Sequence, residues 1–259
     1  MTAVIESVNT WQEATTKLNK FSTAEVLHLL GKYQMLPALI KEVVIDQAIA
    51  PISCTREEEK IAYENLAQQY QITSDDARQR WLEKNNLSAE QLDAIAIRQF
   101  KIEKFKHLTW GGDLETYFSQ RKYQLDRVVY SLIRTTNIGI AQEIYFRLQA
   151  GEQSFAELAR EYSQGPEAQT NGLIGPVELQ TIHPGLAKIL ATSQPQQLLP
   201  PSQLENWIVI VRLEKLLLIQ LDNSLRQRLL NERFHSWLQA QMKSQNYQIQ
   251  QRKNATIKH

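Results

Sequence analysis

The distribution of proline divides this chain into two parts that cannot share one kind of structure. Of the eight prolines, only Pro37 and Pro51 precede residue 160, and the other six lie between residues 166 and 201. Proline lacks the backbone N–H that a helix interior needs, and its ring clashes with the preceding turn. The first part can therefore form long helices, whereas the second part predicts shorter elements separated by turns.

The part before residue 125 is predicted to be a series of helices with recognisable first turns. In three places a hydroxyl residue stands three positions before a polar side chain that can bond back to the backbone: Ser22–Glu25, Thr73–Asp76 and Ser88–Gln91. This spacing is typical of helix starts. Apolar residues at helical spacing predict helices from Ser22 onward, around 39–49, and over 57–70, 75–85, 89–106 and 114–123.

The end of the chain is predicted to return to helix. Leu230, Phe234, Trp237 and Leu238 recur at helical spacing and form an apolar stripe that must be buried, while the tail from about Gln245 is polar and predicted to fray. Because this stripe lies far in sequence from the N-terminal helices, we expect both ends to close into one helical module around an inserted domain. The predicted fold class is therefore α+β, with domain limits at 1–124, 125–218 and 219–259.

Composition excludes several classes of function. The 29 Lys and Arg nearly balance the 28 Asp and Glu, so no overall charge favours nucleic acid or an anionic membrane. A single cysteine, Cys54, excludes an internal disulfide, and the five histidines form no metal-ligand pair, so we expect no metal and no cofactor. No apolar run reaches the length of a membrane span, and Met1–Glu6 lack the pattern of a secretory leader, which predicts a cytoplasmic location.

Between residues 127 and 216 the pattern changes to mixed strands and helices. The run Val128–Ile133 is apolar on both faces and predicts a central strand. An apolar helical stripe then ends at Gly151, and Ser154–Glu157 is a capping box that opens a second helix. A glycine-punctuated turn at Asn171–Gly175, a proline-containing segment and the β-branched strand Trp207–Val211 follow.

The second helix and the turn carry a family resemblance. The run Ser154-Phe155-Ala156-Glu157-Leu158-Ala159-Arg160-Glu161-Tyr162-Ser163, followed by Gly172-Leu173-Ile174-Gly175, resembles the signature of parvulin-type peptidyl-prolyl cis-trans isomerases (the PpiC or rotamase family). Ile182-His183-Pro184 falls where that family has a Met-Val-Pro-like segment, and the likeness extends over residues 125–216. The flanking helices resemble those of SurA-like and PrsA-like chaperones. The resemblance implies an inserted parvulin-like domain with a small antiparallel sheet flanked by helices.

The resemblance also implies a site, from which this sequence departs at the polar positions. The family places two histidines on adjacent strands; here Tyr130-Ser131 stand at the first position and Trp207-Ile208 at the second. The family's Cys or Asp is replaced by Gln164-Gly165. The apolar proline slot is kept in type, with Ile182 and Leu186 at its two lining positions. Tyr130 and Ser131 are the predicted catalytic residues, acting as hydrogen-bond donors. The predicted substrate-binding residues are Ile182, Leu186, Trp207, Ile208, Gly165 and Leu173.

Each of these residues also has an ordinary structural interpretation. Tyr130, Ser131, Ile182 and Leu186 suit plain core packing, and Trp207 suits either a groove floor or the core. His183 matches neither family histidine and is typical of a solvated loop residue, and Cys54 has no base near it in sequence.

The sequence leaves two principal functions and a third open. The first is a parvulin-type isomerase and folding helper of low catalytic efficiency, which binds unfolded or proline-containing polypeptides. The second is a catalytically degenerate peptide-binding chaperone or secretion adaptor, which the missing imidazoles favour. The third is a DNA-binding protein, if residues 75–106 were a helix-turn-helix, and the balanced charge argues against it. Polypeptide clients and the secretion machinery are the predicted partners, without nucleic acid or membrane insertion.

Overall fold

The structure, a computed structural model, describes Thr16 and residues 20–256. The prediction drawn from Met1–Glu6 therefore lies outside the described residues. Two compact units are present. Of the described residues, one unit comprises those up to Gly112 together with those from Leu230, and the other comprises Asp113–Leu229. The domain limits given above stay predictions.

The helices before the first strand begin with the capping that the sequence predicts in two of three places. The side chains of Ser22 and Ser88 each accept a hydrogen bond from the backbone N–H three residues on, and their own backbone N–H groups donate to the side chains of Glu25 and Gln91. The third prediction was one residue off, because Ser74 rather than Thr73 caps the helix through a bond from Ala77 N of 3.2 Å. The helices are α1 (Thr23–Lys32), α2 (Leu36–Ile49), α3 (Arg56–Gln69), α4 (Asp75–Asn85), α5 (Ala89–Trp110) and α6 (Leu114–Leu125).

The helical unit is closed by the last helix, α10 (Asn223–Thr256). Leu238 is 3% exposed and packs in one cluster with Val44, Ile45 and Ile49 of α2. Phe234 and Trp237 stack at 5.7 Å between ring centroids, and Trp237 lies 5.2 Å from the ring of Phe105 on α5. The predicted fold class, a helical module of N- and C-terminal helices with an inserted α+β domain, is confirmed. The backbone is helical from 245 to 256, and residues 257–259 lie outside the described part.

The second unit is built on a four-stranded antiparallel sheet in the order β2-β1-β4-β3. Its elements along the chain are β1 (Arg127–Thr135), α7 (Ile138–Ala150), α8 (Phe155–Tyr162), β2 (Leu173–Glu178), α9 (Pro184–Thr192), β3 (Leu198–Leu204) and β4 (Trp207–Leu217), with single-turn 3₁₀ segments at Pro166–Thr170 and Leu179–Thr181. The predicted central strand, the left-handed cap at Gly151 and the capping box at Ser154 are all present.

The strand β3 was missed by the sequence analysis. Its run Leu198–Leu204 contains Pro200 and Pro201, which remove two backbone donors and argue against a strand. In the structure β3 is an edge strand, and its pairing with β4 shifts register between Leu199 and Ser202, where the two prolines lie. A bulged edge can tolerate residues that a central strand cannot.

Candidate functional site

The two faces of the sheet carry different clusters, because side chains alternate along a strand. On the α9 face, Val128, Tyr130 and Leu132 of β1 pack with Leu186 and Leu190 of α9. On the opposite face, Ile133 and Ile210 pack with residues of α7 and α8. We call these the α9 face and the α7–α8 face.

Four of the predicted site residues meet on the α9 face. Tyr130 and Leu186 are each 4% exposed and belong to its core, and Ile182 and Trp207 are partly buried against the same cluster. Leu186 therefore fills the interior, whereas Ile182 and Trp207 keep exposed surface at which an apolar ring can bind. The strands that bear Tyr130 and Ile208 are direct neighbours.

The other four predicted residues are not brought to this cluster. Ser131 lies on the opposite face, where its Oγ donates to Glu214 Oε1 at 2.5 Å, and Ile208 packs against the α7–α8 cluster. Leu173 is 49% exposed on β2, and Gly165 caps the 3₁₀ segment that follows α8. Tyr130 and Ser131 are adjacent in a strand and so cannot serve the same face. The roles predicted for all eight residues stay predictions.

Tyr130 is electrostatically perturbed. Burial is the main cause that raises the pKa of its phenol; Arg134 acts in the opposite direction and Glu167 in the same direction. A raised pKa keeps the hydroxyl protonated at neutral pH. Tyr130 can therefore act as a neutral hydrogen-bond donor, but not as a base.

The charged pair Arg134–Glu167 was not found from the sequence. Arg134 lies near the end of β1, and its Nε and Nη2 donate to the two carboxylate oxygens of Glu167, each at 2.7 Å. The Glu167 side chain is 1% exposed, and the Arg134 guanidinium lies 5.9 Å from the ring centre of Trp207. Arg134 directly follows the largely apolar run Val128–Ile133, and that position is a signal in the sequence. The sequence around Glu167 gives no such signal, because the pairing of Glu167 with Arg134 depends on the fold.

His183 takes a structural place at the start of α9. Its Nδ1 accepts a hydrogen bond from Gly185 N at 3.1 Å, and its Nε2 lies 3.2 Å from Glu205 Oε1 in the β3–β4 turn. His183 therefore caps α9 and links its first turn to the β3–β4 turn. In the described residues the four predicted side chains that cluster on the α9 face, those of Tyr130, Ile182, Leu186 and Trp207, include no imidazole. Cys54 is half-buried between α2 and α3.

An apolar cavity of about 470 Å³ adjoins Ile182. Its walls come from the end of α6, the Leu179–Thr181 segment and one side of α9, and they include Tyr123, Leu179, Ala187 and Ala191. The cavity shares Ile182 with the α9-face cluster. Leu179 and Ala187 are shared in the same way, so the cavity and the cluster adjoin each other.

Glu214 is a largely buried carboxyl that side-chain donors hold in the sheet. It is the extra residue of a bulge in β4, opposite Val129 and Tyr130, and it accepts bonds from Ser131 and from Arg212 Nε at 2.8 Å. Burial tends to raise the pKa of Glu214, but the hydrogen bonds from Ser131 and Arg212 outweigh it and hold that pKa below its ordinary value.

A carboxyl whose folded pKa is depressed stabilises the fold above its unfolded pKa of about 4.3 and loses that contribution as pH falls through the folded value. We expect the free energy of unfolding to fall between about pH 5 and pH 3, and to fall by on the order of 1 kcal/mol less in Glu214→Gln. Urea titrations of both proteins across this range measure the difference. Parallel curves would show that Glu214 does not couple protonation to folding.

Within the part of the chain that the structure describes, no three His, Cys, Asp or Glu side chains converge as a metal site. None of the described helices combines the length and the apolar character needed to cross a bilayer.

Comparison with known proteins gives this region a family. Residues 133–215 match the sequence model of the rotamase family, described as the PPIC-type PPIASE domain. The parvulin-type resemblance predicted for this segment is confirmed, and with it the isomerase class of the domain. No curated protein matches the chain.

Solved structures similar to the chain include peptidylprolyl isomerases named PrsA. The protein from Bacillus cereus is 18% identical with a TM-score of 0.50, and covers 87% of this chain and 88% of its own. The protein from Bacillus anthracis is 21% identical with a TM-score of 0.48, over 81% of this chain and 97% of its own. The parvulin domain of PpiD from E. coli is 29% identical with a TM-score of 0.34, and covers 39% of this chain and 97% of its own. The Bacillus cereus likeness concerns the fold.

Proposed function

We propose that this chain is a parvulin-type peptidyl-prolyl cis-trans isomerase and folding helper that receives Xaa-Pro segments of polypeptides on the α9 face of its sheet. The observation that supports this most directly is the rotamase match over residues 133–215. These residues include most of the sheet and the α9 side chains that pack on it.

The reaction at such a site requires no covalent chemistry, but it depends strongly on the environment of the amide. Rotation about the Xaa-Pro bond is slow because amide resonance sets a barrier of about 18–20 kcal/mol. No covalent bond is made or broken, so the protein must favour the twisted amide over the planar one. A partly dry apolar surface does this, because the twisted amide is less polar and loses less on leaving water.

The α9 face carries two partly exposed apolar side chains that can provide this surface. Trp207 and Ile182 are partly exposed next to the buried core, and aromatic and aliphatic walls suit a pyrrolidine ring. The cavity beyond Ile182 has room for a second apolar side chain of the client. We assign the prolyl ring to the surface between Trp207 and Ile182.

The polar side of the site explains the low efficiency that we propose. The four clustered residues offer one neutral phenol, Tyr130, and no imidazole. Each well-placed hydrogen-bond donor to a transition state contributes up to about 3–4 kcal/mol. With few such donors, the rate enhancement depends mainly on desolvation of the Xaa-Pro bond. Engagement of the secretion machinery stays a prediction that nothing in the fold addresses.

We expect the intact protein to accelerate cis/trans exchange of Xaa-Pro peptides, measured by NMR exchange without a coupling protease. Trp207→Ala removes one wall of the slot, and we expect kcat/KM to fall by roughly tenfold or more. The control is Phe146→Ala, which truncates an aromatic side chain that is 63% exposed on α7, and should stay within about twofold of the wild type.

A second function is favoured by the absence of an imidazole from the cluster. The chain would then be a peptide-binding chaperone without isomerase activity. Suppression of the aggregation of an unfolded client, together with exchange no faster than the uncatalysed rate, would establish this function and refute the isomerase. Loss of that suppression in Trp207→Ala would place client binding on the same face.

A further inference from the structure

Arg134 presents an unused donor at the edge of the proposed slot. It lies on the α9 face, with its guanidinium over the ring of Trp207. Its Nε and Nη2 are bonded to Glu167, and in the described residues Nη1 has no protein partner. The Arg134 side chain as a whole is 27% exposed, so part of it is open to a bound polypeptide.

Glu167 holds this guanidinium in one orientation. Besides the two bonds from Arg134, its Oε1 accepts Ser163 Oγ at 2.6 Å, and its backbone oxygen accepts Gly172 N at 2.8 Å. A carboxylate fixed by several donors fixes the arginine fork that it binds. The guanidinium therefore has little freedom to turn away from the slot.

The glycine at 165 shows how closely the surroundings fit this pair. A Cβ placed on Gly165 would collide with Arg134 Nε and with both carboxylate oxygens of Glu167. The pair thus occupies the volume that a side chain at 165 would need. This accounts for glycine at a position where φ is −112° and any residue type is conformationally allowed.

During rotation about the Xaa-Pro bond, the prolyl nitrogen becomes a hydrogen-bond acceptor that the planar amide lacks. In the planar amide the nitrogen lone pair is delocalised into the carbonyl and accepts poorly. As the bond twists, the nitrogen becomes pyramidal and its lone pair localises, so it can accept a hydrogen bond. A donor that meets this lone pair stabilises the transition state without tightening substrate binding.

We propose that Arg134 Nη1 donates this hydrogen bond to the prolyl nitrogen of a client bound against Trp207, with Glu167 as the positioning residue. The inference rests on the proposed isomerase function and adds to it a charged donor. Because Glu167 neutralises the guanidinium, the pair enters a dry site at less cost than a lone cation.

The test is steady-state exchange kinetics of R134M/E167Q. Methionine keeps the length and the contact with Trp207 but has no donor, and glutamine avoids leaving a buried unpaired carboxylate. We expect kcat to fall at least about tenfold while KM stays within about twofold, since the lost bond forms only in the transition state. Two-dimensional NMR spectra verify that the variant is folded.

A second variant keeps the inference testable if the double variant does not fold. R134K retains the charge next to Glu167 but replaces the planar fork by a single ammonium, and we expect kcat to fall by roughly three- to tenfold. Unchanged kcat in a folded variant, or a raised KM at unchanged kcat, would refute the donor role and leave the isomerase standing. Absence of turnover in the wild-type protein would refute both proposals.

Discussion

Gly175→Ala is expected to lower the free energy of unfolding of the sheet unit by about 3 kcal/mol or more. Gly175 has φ of +114°, a backbone conformation that residues with a side chain rarely adopt. A Cβ there would lie 2.5 Å from Val128 O and 3.2 Å from Val129 Cα. Both contacts are backbone atoms of the central strand β1, so relief requires movement of the β1–β2 pairing.

The control for this substitution is Gly151→Ala. Gly151 also has positive φ, +70°, but no atom lies within 4 Å of its Cβ position, so only the backbone strain of about 1–2 kcal/mol remains. Urea unfolding followed by circular dichroism measures both changes. Equal losses in the two variants would show that the close approach to Val128 contributes nothing.

The second large effect is expected for Trp237→Ala in the helical unit, where the free energy of unfolding should fall by about 2–3 kcal/mol, less than for a fully buried ring because Trp237 is partly exposed. Trp237 contacts the rings of Phe105, Trp110 and Phe234 at centroid distances of 5.2, 6.3 and 5.7 Å. These rings come from α5 and α10, which are more than a hundred residues apart in sequence. Trp237 is partly buried against the cluster of Val44, Ile45, Ile49 and Leu238, so truncation removes the ring contacts that join α5 to α10.

The neighbouring Ser236 provides the matched control. It is exposed on the same turn of α10, so Ser236→Ala should change the stability by no more than about 0.5 kcal/mol. Because the chain has two units, resistance to limited proteolysis should be followed separately for fragments of each. Loss of protection confined to the sheet unit would contradict the assignment of Trp237 to the helical unit.

The elements that the sequence predicted well are those with local causes. A capping box at Ser88 and an apolar stripe from Leu230 to Leu238 act within one or two turns, and both are present. The closing of the two chain ends into one module could also be inferred, because the stripe had to be buried.

The candidate site was harder to predict because it depends on strand geometry. Tyr130 and Ser131 were assigned together, yet alternation sends them to opposite faces of β1. Ile208 was assigned with Trp207 and is separated from it for the same reason. The bond between Arg134 and Glu167 joins residues 33 positions apart, and no local sequence pattern predicts it.

Prolines at both borders of the sheet have a consequence for how clients are held. Pro200 and Pro201 lie on β3, and Pro176 lies on β2, and these are the two outer strands. A folding helper binds extended chains with exposed apolar residues. An edge strand with unpaired backbone donors would let such chains add to the sheet as further strands. Because these borders are interrupted, a client cannot extend the sheet by continuous pairing, and its recognition falls to side-chain surfaces from which it can leave again.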